Sequence, residues 1–146
     1  MASQGTATTS FTRDERLAFC AAVANLIAAD RKISNEERAH LADLIQEAGL
    51  SPNDPDVQKA VYTQLSAPAP IEKVVASIKN PALRRQLFRA LIEVAVSDGL
   101  APQEEERLTK LAQVFELNPK AARELIQWTV EHIALEKRED EILKRL

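Results

Sequence analysis

Apolar residues recur along this chain at spacings of three and four rather than two, so its hydrophobic pattern predicts helices and no sheet. Two runs, "LAFCAAVANLIAA" from Leu17 and "LFRALIEVAV" from Leu87, are apolar around most of the helical circumference. Helices of that kind belong at the centre of a bundle. Two others are amphipathic: Leu41, Leu44, Ile45 and Ala48 share one face, answered later by Leu108, Leu111, Ala112 and Phe115. Each is expected to cover a central helix. Asn80-Pro81, Ala101-Pro102 and Asn118-Pro119 each precede a helical pattern, and proline suits a first helical position because the N–H it lacks has no partner there. The expected helices run from Thr12 to Ala29, Ser34 to Ala48, Asp54 to Leu65, Pro70 to Lys79, Pro81 to Ser97, Pro102 to Glu116, and from Asn118 into the C-terminal segment.

The pattern also repeats. Glu37 and Glu104, Leu41 and Leu108, Leu44 and Leu111, Gln46 and Gln113, Leu50 and Leu117, and Pro52 and Pro119 all stand 67 positions apart. Asp30 and Asp98 stand 68 apart, so the turn after the second apolar run is one residue shorter than the turn after the first. "SAPAP", Ser66 to Pro70, separates the two stretches. The expected architecture is all-α, a compact bundle of about seven helices built from two pseudo-symmetric halves.

Composition narrows the function. Hydrophobic residues make up 45% of the 146 and aromatics only 4%, so aliphatic side chains and alanine must fill the core. A chain of this length is expected to form one domain, here residues 12–134, with residues 1–11 as a flexible polar tail and 135–146 as a helical extension. Nineteen basic against 22 acidic residues give a net charge of −3, which offers no general attraction to nucleic acid or anionic lipid. Asn25, Asp30 and Glu93 interrupt the apolar runs before either reaches the length of a membrane span. No secretory signal is expected, and the single Cys20, inside an apolar run, reads as a buried inert thiol. A cytoplasmic location fits that reading.

Candidate chemistry sits at the two acidic turns, "AADRKISNEE" from Ala28 and "VSDGLAPQEE" from Val96. Local physics accounts for part of it, because Ser34 and Glu37 have the spacing of a capping box and Glu36, Glu37, Glu104 and Glu105 sit at the positive ends of helix dipoles. Clustered carboxylates also suit hard divalent cations, Ca²⁺ or Mg²⁺. An EF-hand is excluded, since its earlier ligand positions hold Leu26 and Ala28 in the first turn and Val94 and Val96 in the second. In the apolar helix ending in Ala-Asp, the Glu-led helix after it, "LIQEAGLSP" and the "SDGLAPQEE" copy, the chain resembles the TerB-like family from about Arg16 to Val130. The resemblance implies an all-helical bacterial domain with metal-binding acids and roles in stress response, tellurite resistance or scaffolding. The family's turn acids fall on Asp30 and Glu37, and on Asp98 and Glu104, with Glu105 beside them. Arg31 stands where the family usually carries glycine, and two cations, Arg31 and Lys32, compete there with a bound ion. Asp98-Gly99 keeps the family's form.

Other chemistries find little support. His40, His132 and Cys20 are scattered along the chain, whereas zinc wants clustered ligands. No nucleophile motif is present, and three glycines in all leave no phosphate-cradling loop, so no enzyme is expected. Direct handling of an oxyanion would need donors where this chain supplies acids. In the last helix Ala121, Leu125, Trp128, His132, Leu135, Glu139, Ile142 and Leu146 follow the alternating spacing of a coiled-coil seam, interrupted by His132 and Glu139. The simpler reading makes its end a solvated extension. The sharper one has Leu135, Ile142 and Leu146 dock a partner helix or a second copy of the chain. The leading expectation is a binding module that presents its acids to a partner protein, with a divalent cation as an added ligand; the competing one is an assembly component working through its last helix.

Overall fold

A computed structural model describes residues 11–28, 33–97, 100 and 102–146. Among them are seven helical segments and no strand. Helix α1 spans Arg13–Ile27 and α2 spans Asn35–Glu47. Pro55–Val57, Gln58–Tyr62 and Thr63–Ser66 run on as one helix, α3, whose middle is a π turn. A single turn, α4, covers Ile71–Val74; α5 spans Pro81–Ser97, α6 Pro102–Val114 and α7 Pro119–Lys144. The all-α class expected from the periodicity holds. The flexible tail expected for residues 1–11 falls outside the described residues except Phe11, which is partly buried against the core.

Side-chain caps set most helix starts. Thr12 and Glu15 form a reciprocal box at α1, with bonds of 3.0 and 3.1 Å. Asn80 Oδ1 accepts the N–H groups of Ala82 and Leu83 at α5, and Asn118 Oδ1 accepts that of Ala121 at α7. Pro81, Pro102 and Pro119 take the first helical positions, as their spacing predicts. The helix expected from Pro70 to Lys79 is not formed beyond Val74. Pro70 offers no side-chain cap, the β-branched pair Val74-Val75 disfavours helix, and the backbone tightens instead into turns closed by Ile78 N–H to the Val75 carbonyl at 2.9 Å. Ile71, Val75 and Ile78 are still buried, so the core is filled without a helix to present them.

The apolar α1 and α5 lie at the centre: Cys20 to Ala28 are all buried, as are Leu87, Phe88, Leu91 and Ile92. Burial pushes the Cys20 thiol up to about 12, against a smaller opposing pull from Arg16, which keeps it protonated and unreactive at neutral pH. Helices α2 and α6 cover them through Leu41 and Ile45, and through Leu108, Leu111 and Ala112. Their C-terminal caps match in the repeat register. Gly49 at φ 78° and Glu116 at φ 58° are left-handed, Leu50 N–H bonds the Ile45 carbonyl, and Leu117 N–H bonds the Ala112 carbonyl, which makes two Schellman motifs 67 residues apart. The copies diverge after the caps, where one leads to the 12 residues of α3 and the other to the 26 of α7.

One polar side chain sits wholly inside this core. Asn25, fully buried on α1, donates to Gln64 Oε1 of α3 at 2.9 Å and to the Ala69 carbonyl at 2.7 Å, and its own Oδ1 accepts from Arg107 Nη1 of α6 at 2.6 Å. Gln64 Oε1 also accepts the Ala69 N–H at 3.0 Å. The Ser66–Pro70 connection is thereby held against α1, and α6 is tied to the same point. Among the described residues no helix is long and apolar enough to cross a membrane.

Replacing Asn25 by Ala strands the Ala69 carbonyl and the Arg107 guanidinium together, and is expected to cost about 3 kcal/mol in urea denaturation. The two caps predict opposite signs. Gly49→Ala destabilises by about 1–2 kcal/mol, because a Cβ there is both left-handed and 2.8 Å from Arg16 Nη1, whereas Glu116→Gly stabilises by up to about 1 kcal/mol in the same measurement.

Candidate functional site

The acids singled out by the sequence divide by helical geometry. Glu37 lies four residues before Leu41 and Glu104 four before Leu108, so each shares the face that its helix buries. Both are buried, at 9% and 4% exposure, while Glu36 and Glu105 face outward. Interior carboxylates cost several kcal/mol unless bonded or paired, and both of these have interaction partners. Glu37 is engaged in the capping box: its Oε1 accepts the Ser34 N–H at 3.0 Å while Ser34 Oγ accepts the Glu37 N–H at 3.0 Å. Glu105 lines a separate open groove of about 810 Å³ between α4 and α6, across from Glu72. There Lys110 Nζ meets Glu72 Oε2 at 2.8 Å, and that contact holds the Glu72 carboxyl below the usual carboxylate range. Asp30 and Asp98 lie outside the described residues.

The Arg107 to Asn25 bond fixes where these helix starts lie. Arg107 is in the second turn of α6 and Asn25 in the last turn of α1, so the beginning of α6 and the end of α1 occupy one end of the bundle. Ser97, where α5 stops, is five residues before the α6 start at Pro102, and Ser34, which caps α2, is six beyond the α1 C-cap at Ala28. Glu37 and Glu104 therefore sit on helices that start near a common end. Among the described residues no group of three or more His, Cys, Asp or Glu is arranged to hold a metal ion.

Two features escaped the sequence reading. In the sequence Asn25 reads only as an interruption of an apolar run. The signal was there, because a polar amide flanked on every helical face by buried residues must find partners. His40 and His132, read as scattered, line one groove of about 530 Å³ between α2, α5 and α7. Within it Trp128 and His132 stack with ring centres 4.9 Å apart, and His132 Nε2 stands 3.7 Å from Glu136. Helix α7 buries Ala122, Ile126 and Thr129; of the seam from Ala121 through Trp128, Leu125 is partly buried against the core while Ala121 and Trp128 are exposed.

With the bundle described, its relatives can be placed. The sequence profile of the tellurite resistance protein TerB family matches residues 16–127. The chain belongs to the TerB family. No curated protein and no solved structure matches it. The TerB match begins within α1 and stops in the first third of α7, one residue before Trp128. Both acidic helix starts fall inside the TerB span, and Leu135, Ile142 and Leu146 fall beyond it.

The capping box predicts an effect on stability that needs no ligand. Ser34→Ala is expected to lower stability by about 1 kcal/mol in urea denaturation without added cation.

Proposed function

We propose that this TerB-family domain is a non-enzymatic binding module whose acidic end, built from the starts of α2 and α6, binds a divalent cation and presents the resulting surface to a partner protein. The observation that carries the reading is that Glu37 and Glu104, equivalent in the 67-residue register, are both buried on helices beginning near one end of the bundle. Their oxygens are hard donors suited to Ca²⁺ or Mg²⁺ rather than to softer metals. Asp30 and Asp98, a few residues earlier in the chain, would complete the donor set, with Asp98 favoured because Gly99 follows it while Arg31 and Lys32 follow Asp30. Glu105, facing the neighbouring groove, serves the partner better than the ion. A bound cation would offset carboxylate repulsion between the two helix starts and so select one arrangement of that surface. The setting proposed is a bacterial stress response in the cytoplasm.

Titration calorimetry with Ca²⁺ and Mg²⁺ tests the cation. Wild type is expected to give saturable heat that Asp98→Ala abolishes, and to gain about 2.7 kcal/mol of stability at an ion concentration of 100 Kd. Absence of heat and of any melting shift in the wild type would remove the cation from the reading.

A further inference from the structure

Among the described residues every exposed large hydrophobic side chain is on α7 or just past its end: Trp128, Leu135, Ile142, Leu143 and Leu146. Trp128, Leu135 and Ile142 stand at successive intervals of seven, with Leu146 four further on, which is the spacing of a seam made for another helix. A concentration of this kind marks an interaction surface. Its wall is the groove lined by His40, Leu44 and Glu47 of α2 and by Arg89 and Glu93 of α5. Glu47, Glu93 and Glu136 make the rim acidic, and the one cation, Arg89, is engaged with Glu93 at 3.4 Å.

We propose that α7 pairs antiparallel with α7 of a second copy of this chain, each copy laying the basic C-terminal end of its helix in the acidic groove of the other. Ile142 to Leu146 carries two apolar anchors at its ends and only cations, Lys144 and Arg145, as charges, which complements that rim. A chain cannot fill its own groove in this way, because α7 is unbroken to Lys144 and its rise carries Leu146 about 20 Å beyond His132. An antiparallel register centred on Lys137 sets Leu146 over Trp128, Ile142 over His132 and Arg145 beside Glu131. Residues 128–146 then overlap for about 28 Å. A parallel pair would instead stack Glu139 on Glu139 and leave both basic ends away from the grooves. The antiparallel arrangement closes on a two-fold axis, so assembly stops at two. It draws on the extension and not on the acidic turns, so it stands or falls separately from the cation.

Sedimentation equilibrium of the full chain decides it, with emission of Trp128, the only tryptophan, as a second readout. The mass is expected to rise from one chain to two between about 1 µM and 1 mM, with a blue shift of the emission. Ile142→Asp is expected to hold the mass at one chain while leaving the melting midpoint unchanged, since Ile142 touches no core. Glu131→Arg and Arg145→Glu should each weaken the dimer at least tenfold, and the double variant should restore it. A single-chain mass throughout, or a dimer indifferent to Ile142→Asp, overturns the proposal. Loss with Ile142→Asp but no response to either charge reversal overturns the antiparallel register.

Discussion

The arrangement of this bundle depends on how one amide is satisfied. Asn25 is placed by the α1 helix among aliphatic neighbours, where its hydrogen-bonding groups have no access to water. The chain answers with three partners from three separate segments: the Gln64 side chain, the Ala69 carbonyl and the Arg107 guanidinium. Aliphatic contacts alone would tolerate some sliding of α6 along α5, because they are non-directional. The bond to Arg107 is directional, and it brings the start of α6 to the end of α1. The position of the acidic residues follows from that choice of register.

Much of the fold was legible because its signals are local and agree with one another. Proline at first helical positions, asparagine and threonine caps, and apolar residues at three- and four-residue spacing all specify α1, α2, α5, α6 and α7 without reference to the rest of the chain. The failure at Lys79 has a local cause too. Ile71, Val75 and Ile78 have helical spacing, but a turn buries three such residues as well as a helix does, and the β-branched pair tips the balance. The repeat is read from like residues 67 positions apart; in the backbone Gly49 and Glu116 are both left-handed, although only one of the two positions holds the residue that sterics favour.

The candidate site was legible in residue type and not in direction. Four adjacent glutamates, Glu36 with Glu37 and Glu104 with Glu105, look alike in sequence, and only the phase of each helix against the core turns one of each pair inward. Phase is set by Leu41 and Leu108, so it could have been read from them. Tertiary facts could not. The meeting of His40 with His132 in one groove, and the exposure of Trp128, depend on how α7 is rolled against α5, where Ala122 and Ile126 are buried, Leu125 partly so, and Trp128 is not.

The direction of α7 has a consequence for how the molecule responds to ligands. α6 and α7 are joined by the four residues 115–118 and line one groove together, so α7 turns back beside α6 and its exposed end runs on past the residues that line the groove. Any linkage between an occupant of that segment and one of the acidic turns would have to pass through a change of arrangement common to both, and would then be equal in the two directions.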